Sequence, residues 1–127
     1  LEIRKQADDF AKFEASRVSN VILIEWMPQH DLLADSRVDL FVSHGGMAFC
    51  QEIAHARVPA LLIPIFGDQI NNAAALAHVG IAQVFSKFDM IDSDKVRKAI
   101  EEMLGNSSYK LNALRIHDQL AARPTSP

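Results

Sequence analysis

The sequence predicts an α/β fold with a parallel sheet, and three observations support this prediction. Short apolar runs alternate along the chain with segments whose apolar residues recur at helical spacing. Helices between strands indicate parallel pairing, because parallel neighbours cannot be joined through a two-residue turn. The 127 residues, 49% apolar and 23% charged, suffice for one packed domain. We therefore expect a Rossmann-like sheet with flanking helices, in a single domain over residues 1–127 whose ends, 1–19 and 123–127, are peripheral.

The amino-terminal half supplies two predicted strands and three predicted helical segments. Residues 4–15 carry a weak helical pattern, and residues 21–24 form an apolar run that predicts a strand. Residues 30–34 predict a short helical turn, and residues 38–42 predict a second strand. Apolar side chains at helical spacing over residues 47–56 predict the helix that follows.

The carboxyl-terminal half continues the alternation. Its predicted elements are a strand over residues 60–63, a helix over 69–78, a strand over 81–85 and two helices over about 93–104 and 107–121. Gly80 is expected to close the first of these helices, and Ser93 to cap the second. In open parallel sheets ligands bind outside the carboxyl ends of the strands, so residues that follow predicted strands are the candidates for a site.

Charge and hydropathy exclude two classes of function. The formal net charge of -3 and the pI near 5.9 provide no basic surface for a phosphate backbone, so we expect no nucleic-acid partner. The longest apolar run, residues 60–66, is about a third of the roughly 20 residues that span a bilayer, and no transmembrane segment is predicted.

Leu1 begins the sequence without an initiator Met or a signal-like stretch, so we expect the chain to belong to something longer.

The sequence also gives no indication of a metal site. Cys50 is the only cysteine, so no internal disulfide forms and no cysteine-type zinc site can be completed. Its place on the apolar face of a predicted helix favours a small core residue over a nucleophile. His30, His44 and His55 lack the i, i+4 pairing of a zinc site, so we expect no metal.

A histidine and two glycines follow the second predicted strand, as Ser43-His44-Gly45-Gly46. The glycines let the backbone turn tightly and approach a ligand, and the next helix begins with unpaired N–H groups. A diphosphate there would meet the positive end of the helix, and His44 could donate a hydrogen bond to a phosphate oxygen. The alternative is a tight turn between strand and helix with a solvent-facing histidine.

The only tryptophan, Trp26, follows the first predicted strand and precedes Met27-Pro28-Gln29. Proline would hold this loop rigid, and the indole could stack on a nucleobase, which stabilises a bound base by about 1 to 3 kcal/mol. Gln29 could reach a ribose or the edge of a base with its amide. The alternative is that the tryptophan is simply part of the core.

Three further polar residues follow predicted strands or lie on the helices after them. Glu52 could accept hydrogen bonds from ribose hydroxyls, although a solvated glutamate on a helix face is the default interpretation. Asp68 and Gln69 follow the strand over residues 60–63 and combine a carboxylate with an amide, which suits adjacent sugar hydroxyls. The alternative for Asp68 is that it caps the next helix.

Together these motifs resemble the signature of the UDP-glycosyltransferases, in particular the UDP-glucuronosyltransferase-like animal branch. The resemblance lies in ordered segments over about 50 residues and extends through the last predicted helix. The segments are Trp26-Met27-Pro28-Gln29, Asp31-Leu32-Leu33, Ser43-His44-Gly45-Gly46, Glu52, Val58-Pro59, Pro64-Ile65-Phe66-Gly67-Asp68-Gln69, Asn72-Ala73, Ser108-Tyr109-Lys110 and Asn112-Ala113.

The resemblance implies one half of a GT-B architecture, namely the carboxyl-terminal, donor-binding domain. It implies that the full protein transfers glucuronic acid or glucose from a UDP-sugar co-substrate to a small lipophilic acceptor, with inversion and without a metal or other cofactor. The implied contacts are Trp26 and Gln29 with the uridine, Glu52 with the ribose, Ser43, His44, Gly45, Gly46, Ala48 and Phe49 with the diphosphate, and Asp68 and Gln69 with the sugar. For the full-length form it implies the lumenal side of the endoplasmic reticulum membrane.

Two departures from the family pattern limit these implications. Small residues usually follow the His-Gly-Gly turn, whereas Phe49 here would crowd the diphosphate if its ring pointed toward the ligand. The family's catalytic base and acceptor pocket lie in an amino-terminal domain, and His30, His55, His78 and His117 match no such position, so we expect no catalytic residue in this chain. The alternative function is a non-catalytic UDP-sugar-binding or interaction module that associates with itself or with full-length partners.

Overall fold

A computed structural model of the protein describes residues 18–123, and within them helices and strands alternate as the sequence predicts. The elements are α1 (Gln29–Ala34), β1 (Phe41–Ser43), α2 (Met47–His55), β2 (Ala60–Leu62), α3 (Asp68–His78), β3 (Ala82–Val84), a 3-10 turn (Lys87–Asp89), α4 (Ser93–Gly105) and α5 (Ser107–Ala121). The predicted helix over residues 4–15 lies outside the described residues, as do most of the two ends expected to be peripheral.

The three strands form one parallel sheet in the order β1, β2, β3. β2 is the central strand, and its three residues are completely buried. Because successive side chains of a strand point to opposite faces, Ala60 and Leu62 belong to one hydrophobic cluster and Leu61 to another. The central strand therefore requires cover on both faces of the sheet.

The helices bury more side chains on one face of the sheet than on the other. Buried side chains of α2, α3 and α5, among them Ile53, Leu76 and Ala113, form the larger cluster on the face of Leu62. On the other face α4 contributes Ala99 and Met103 to the cluster of Leu61, and Tyr109 at the start of α5 packs against it. Burying each large apolar side chain stabilises the fold by about 1.5 to 3 kcal/mol, so the sheet and its two helical layers form a single packed unit.

The carboxyl ends and the amino ends of the strands, here called the carboxyl edge and the amino edge of the sheet, have different roles. β1 and β2 both end at the carboxyl edge, where the backbone continues into the segments that carry the predicted site. The opposite edge is held by side chains of α5. Asn112 Nδ2 donates to Gly80 O at 3.2 Å, Lys110 Nζ donates to Arg57 O, and His117 Nδ1 lies 2.6 Å from His55 O. These contacts satisfy carbonyl groups at the ends of α2 and α3.

The strand predicted over residues 21–24 is wrong. These residues adopt no regular structure, and their side chains are between 47% and 85% exposed. A β-branched run becomes a strand only where a neighbouring strand accepts its backbone hydrogen bonds. Within residues 18–123 the strand pairings are β1 with β2 and β2 with β3, and residues 21–24 pair with none of these strands.

Two local predictions also need correction. The strand predicted over residues 38–42 begins later, at Phe41, because Val38 N donates to Asp35 O at 3.1 Å in a turn. The cap of α4 is Asp92, whose carboxylate accepts hydrogen bonds from the backbone of Asp94 and Lys95, so Ser93 is the first helical residue rather than the cap.

Gly80, at the end of α3, provides a test of this packing. Its φ is +82°, and a Cβ there would lie 2.4 Å from Asn112 Nδ2. We expect Gly80→Ala to lower the free energy of unfolding by about 1 to 3 kcal/mol, because alanine is strained at positive φ and displaces the amide of Asn112. The matched control is Gly105→Ala, where a Cβ meets open space and the helix gains about 0.5 to 1 kcal/mol. Urea unfolding measures both changes, and equal effects would contradict the prediction.

Candidate nucleotide-sugar site

The turn after β1 has the geometry predicted for a tight approach to a ligand. Gly45 is buried with a φ of +89°, which favours glycine, and its N–H donates to Ser43 Oγ at 3.3 Å. Gly46 is the N-cap of α2, has no side chain to cap the helix, and accepts the first helical hydrogen bond from Cys50 N at 3.0 Å. The N–H groups of residues 47–49 therefore have no partner within the helix itself.

His44 lies beside this helix start. Its side chain is exposed, and a Cβ built on Gly46 would stand 3.2 Å from His44 Nε2. The imidazole therefore covers the backbone of Gly46, at the end of α2 where the peptide dipoles leave partial positive charge. A side chain at position 46 would require the ring to shift slightly.

The carbonyl group of Gly45 points into the protein and receives two hydrogen bonds. Asn72 Nδ2 of α3 donates to it at 3.2 Å, and Cys50 Sγ of α2 donates at 3.4 Å. Burial raises the pKa of the Cys50 thiol, with a smaller contribution from the charge of Asp68, so the sulfur keeps the proton that it donates. This supports the interpretation of Cys50 as a core residue rather than a nucleophile.

Asp68 and Gln69 begin α3 next to the turn. Asp68 is exposed and is the first residue of the helix after the cap Gly67, so the alternative of an aspartate cap does not apply. Gln69 is 8% exposed, and its Oε1 accepts hydrogen bonds from the backbone N–H of Ile65 at 3.0 Å and of Phe66 at 3.3 Å. The amide oxygen thus holds the preceding loop, and only the NH₂ group remains to contact a ligand.

A separate depression of about 490 Å³ lies around Trp26. The indole is 85% exposed, so this tryptophan is not a core residue. Gln29 and Glu52 both line the depression, and Gln29 Nε2 donates to Glu52 Oε2 at 3.0 Å, which joins α1 to α2. Glu52 is five residues beyond the start of α2, about 8 Å along its axis at the usual helical rise. The depression and the glycine turn therefore lie at two places on one helix.

Phe49 does not crowd the turn. Its side chain is 7% exposed, and its ring packs against Phe41 with centroids 5.9 Å apart. The ring thus points into the core, while the backbone at position 49 stays at the helix start. Ala48 is exposed next to it.

Two residues near the turn were not predicted from the sequence to have a contact there. Asn72 was noted only within the resembling segment, although its spacing of i+4 from Asp68 and i+3 from Gln69 places it on their face of the helix. Lys87 donates from Nζ to Ile65 O at 2.8 Å and holds the loop before Asp68 from the side of β3. That contact joins residues 22 positions apart and has no signal in the local sequence.

Two features are absent from the described part of the chain. Residues 18–123 contain no group of three or more His, Cys, Asp or Glu side chains arranged to hold a metal ion. None of the helices in the same range combines the length and the apolar character needed to cross a membrane.

Comparison with known proteins extends the similarity over most of the chain. Residues 14–127 match the family described as UDP-glucoronosyl and UDP-glucosyl transferase. The chain is 37% identical over 108 residues to UDP-glycosyltransferase UGT5 of Dactylopius coccus, covering 85% of this chain and 20% of that protein. It is 38% identical over 105 residues to human UDP-glucuronosyltransferase 2A3, covering 80% of this chain and 20% of that protein. The chain thus spans about a fifth of the length of these relatives.

Solved structures agree on the fold. Glycosyltransferase VinC in complex with DTDP is 27% identical and superposes with a TM-score of 0.74, over 84% of this chain and 26% of that one. The α/β class and the Rossmann-like parallel sheet, as one half of a GT-B architecture, are therefore confirmed.

The burial of Phe49 can be tested against its neighbour in the first turn of α2. We expect Phe49→Ala to lower the free energy of unfolding by about 3 to 5 kcal/mol, because it removes a ring from the core and leaves a cavity. The control Met47→Ala shortens a side chain that is 51% exposed and should change stability by less than about 0.5 kcal/mol. Urea titrations of both variants measure the difference, and a mild effect of Phe49→Ala would mean that its ring faces the solvent.

Proposed function

Because the chain belongs to the UDP-glycosyltransferase family, we propose that it supplies the donor-binding part of an enzyme that transfers a sugar from a UDP-sugar to a small lipophilic acceptor. One observation carries the proposal. An exposed aromatic ring and a hydrogen-bonded amide and carboxylate line a depression beside α2, and the start of the same helix has N–H groups without a partner in the helix. Their chemistry matches a base, a ribose and a diphosphate in that order.

The base and the ribose are assigned to the depression around Trp26. An indole that is 85% exposed offers an uncovered face on which uracil can stack. The Gln29 amide next to it suits the uridine, and the Glu52 carboxylate suits the donor hydroxyls of the ribose. Gln29 keeps Glu52 in place until the ribose arrives.

The diphosphate is assigned to the turn after β1. Residues 43–46 bring the backbone close, the N–H groups at positions 48 and 49 donate toward the phosphates, and His44 adds a side-chain donor. The inward direction of the Phe49 ring leaves this approach open. The negative charge of the diphosphate also meets the positive end of the α2 dipole.

The transferred sugar is assigned to the start of α3. The Asp68 carboxylate accepts hydrogen bonds from sugar hydroxyls, and the free NH₂ group of Gln69 donates one. This pair accommodates glucuronic acid or glucose, since both present adjacent hydroxyl groups. In line with the family resemblance we propose no metal ion or cofactor, since the helix start offsets part of the phosphate charge and His44 supplies a hydrogen-bond donor.

We assign no catalytic residue to this chain. Sugar transfer needs a base within hydrogen-bond reach of the acceptor hydroxyl, and the family resemblance locates that base and the acceptor pocket in an amino-terminal domain. The chain should therefore bind the donor without turning it over by itself. For the full-length protein we propose the lumenal side of the endoplasmic reticulum membrane, in line with the relatives named UDP-glucuronosyltransferase.

Thermal unfolding with and without UDP tests the proposed site. A ligand of the native state stabilises it by RT ln(1 + [L]/Kd), about 2.7 kcal/mol at a hundredfold excess over Kd, so millimolar UDP should raise the Tm. Trp26→Ala should lose most of this rise because it removes the stacking face. Leu111→Ala, which shortens an exposed side chain on α5, should keep it. An unchanged Tm of the unmodified chain in UDP would count against donor binding.

A second candidate function, association with another copy of the chain, is favoured by the apolar side chains of residues 21–24. Four consecutive apolar residues are exposed there, close in sequence to Trp26. Exposed apolar groups of this kind favour protein contacts. Such an interaction module is compatible with donor binding and needs no catalytic activity.

Sedimentation velocity tests this candidate over a range of protein concentrations. We expect a shift toward dimers as concentration rises, and Ile22→Lys should weaken it at least tenfold, because it places a charge where apolar contact is needed. Leu111→Lys adds the same charge on α5 and should leave the association unchanged. A concentration-independent monomer that still binds UDP would remove the support for an interaction module.

A further inference from the structure

Asn72 joins two segments of the site that are far apart in sequence. It lies on α3, one helical turn after Asp68, and its side-chain amide donates to the carbonyl oxygen of Gly45 at 3.2 Å, across 27 residues of sequence. The side chain is half-buried, so this hydrogen bond is partly shielded from water. The amide therefore reaches from the proposed sugar segment to the proposed diphosphate turn.

The hydrogen bond to the Gly45 carbonyl also fixes the direction of a neighbouring backbone donor, the N–H of Gly46. The peptide between Gly45 and Gly46 is trans and planar, so its C=O and its N–H point in opposite directions. With the Gly45 carbonyl held inward by Asn72 and Cys50, the Gly46 N–H is directed away from these two side chains. The orientation of one amide thus fixes the orientation of a backbone donor beside the phosphates.

The turn needs such a restraint because it consists of glycine. Gly45 has no Cβ, and its φ of +89° is one of several conformations that glycine adopts at little cost. Fixing one residue costs about 1 to 2 kcal/mol of conformational entropy, and a turn that is already fixed does not lose that freedom on binding. The S–H of Cys50 is a weak donor, so the Asn72 amide is the stronger of the two restraints.

We propose that Asn72 is a positioning residue for the diphosphate: it orders the glycine turn before the ligand arrives and couples it to the segment that holds the sugar. The proposal rests on the proposed function, since it presumes a diphosphate at the turn. The proposal predicts that removing the Asn72 amide lowers the affinity for one part of the ligand only. Without the Asn72 amide, the affinity contributed by the phosphates falls, while the affinity contributed by the base and ribose around Trp26 is unchanged.

The test compares UDP with uridine by ligand-observed NMR titration. Asn72→Ala removes the donor, and Asn72→Leu removes it while keeping the side chain at similar size, so both remain informative if one of them folds poorly. We expect each to reduce the ratio of UDP to uridine affinity about tenfold, since the stronger of the two hydrogen bonds to the Gly45 carbonyl is lost and only the weak Cys50 donor remains. Asn71→Ala, at an exposed neighbouring asparagine of the same helix, should keep the ratio of the unmodified chain.

Each outcome separates the positioning role from the alternatives. If Asn72 only ties α3 to the sheet, its variants melt earlier and weaken UDP and uridine in parallel, which overturns the proposal. If the unmodified chain prefers UDP and the Asn72 variants keep that preference, the proposal fails while the donor site stands. If the unmodified chain binds UDP no better than uridine, the diphosphate assignment fails and the role of Asn72 with it.

Discussion

The parallel pairing of β2 between β1 and β3 is the constraint on which the rest of the structure depends. Its three residues are fully buried, so neither face of the sheet can remain in water and helices must return over both. Parallel strands also end at the same edge. The segments after β1 and β2 are therefore neighbours in space although they are separated by a whole helix in sequence, and this proximity lets α3 contact the glycine turn.

Because of the same constraint, the contacts that stabilise the ends of the helices and the glycine turn of the proposed site lie at opposite ends of the strands. At the amino edge, side chains of α5 donate to backbone carbonyls at the ends of α2 and α3, and these contacts involve no residue of the proposed site. At the carboxyl edge, the polar groups either remain exposed, as Asp68 and His44 do, or support a loop, as Gln69 does. Substitutions at the amino edge should therefore change the unfolding free energy with little effect on ligand affinity.

Local sequence patterns predicted the helices well and the strands less well. Helices α3, α4 and α5 begin and end within a residue or two of their predicted limits, because helical spacing and caps act within a few residues. The run over residues 21–24 has the composition of a strand but lacks a partner, and partners are set by contacts distant in sequence. β1 begins later than its apolar residues suggest, because the N–H of Val38 donates a hydrogen bond to Asp35 O in a turn.

The sequence proposes the residue types of the candidate site but not its internal contacts. The composition of the motifs indicated a base, a ribose and a diphosphate, and the placement of Trp26 on the surface agrees with that interpretation. The direction of the Phe49 ring was undecidable from the sequence, since either side of a helix start can face the core; packing against Phe41 decides it. The Gln29 to Glu52 and Asn72 to Gly45 hydrogen bonds likewise depend on how helices pack.

These internal contacts bear on how the proposed open site would bind a charged ligand. The depression around Trp26 is shallow, so little of the affinity can come from enclosing the nucleotide. Affinity in the proposed site must then depend on groups that are already oriented, namely a carboxylate held by Gln29 and a peptide held by Asn72. Each of these restraints is formed within the protein before the ligand arrives. Removing one should therefore weaken the ligand group it serves and leave the others in place.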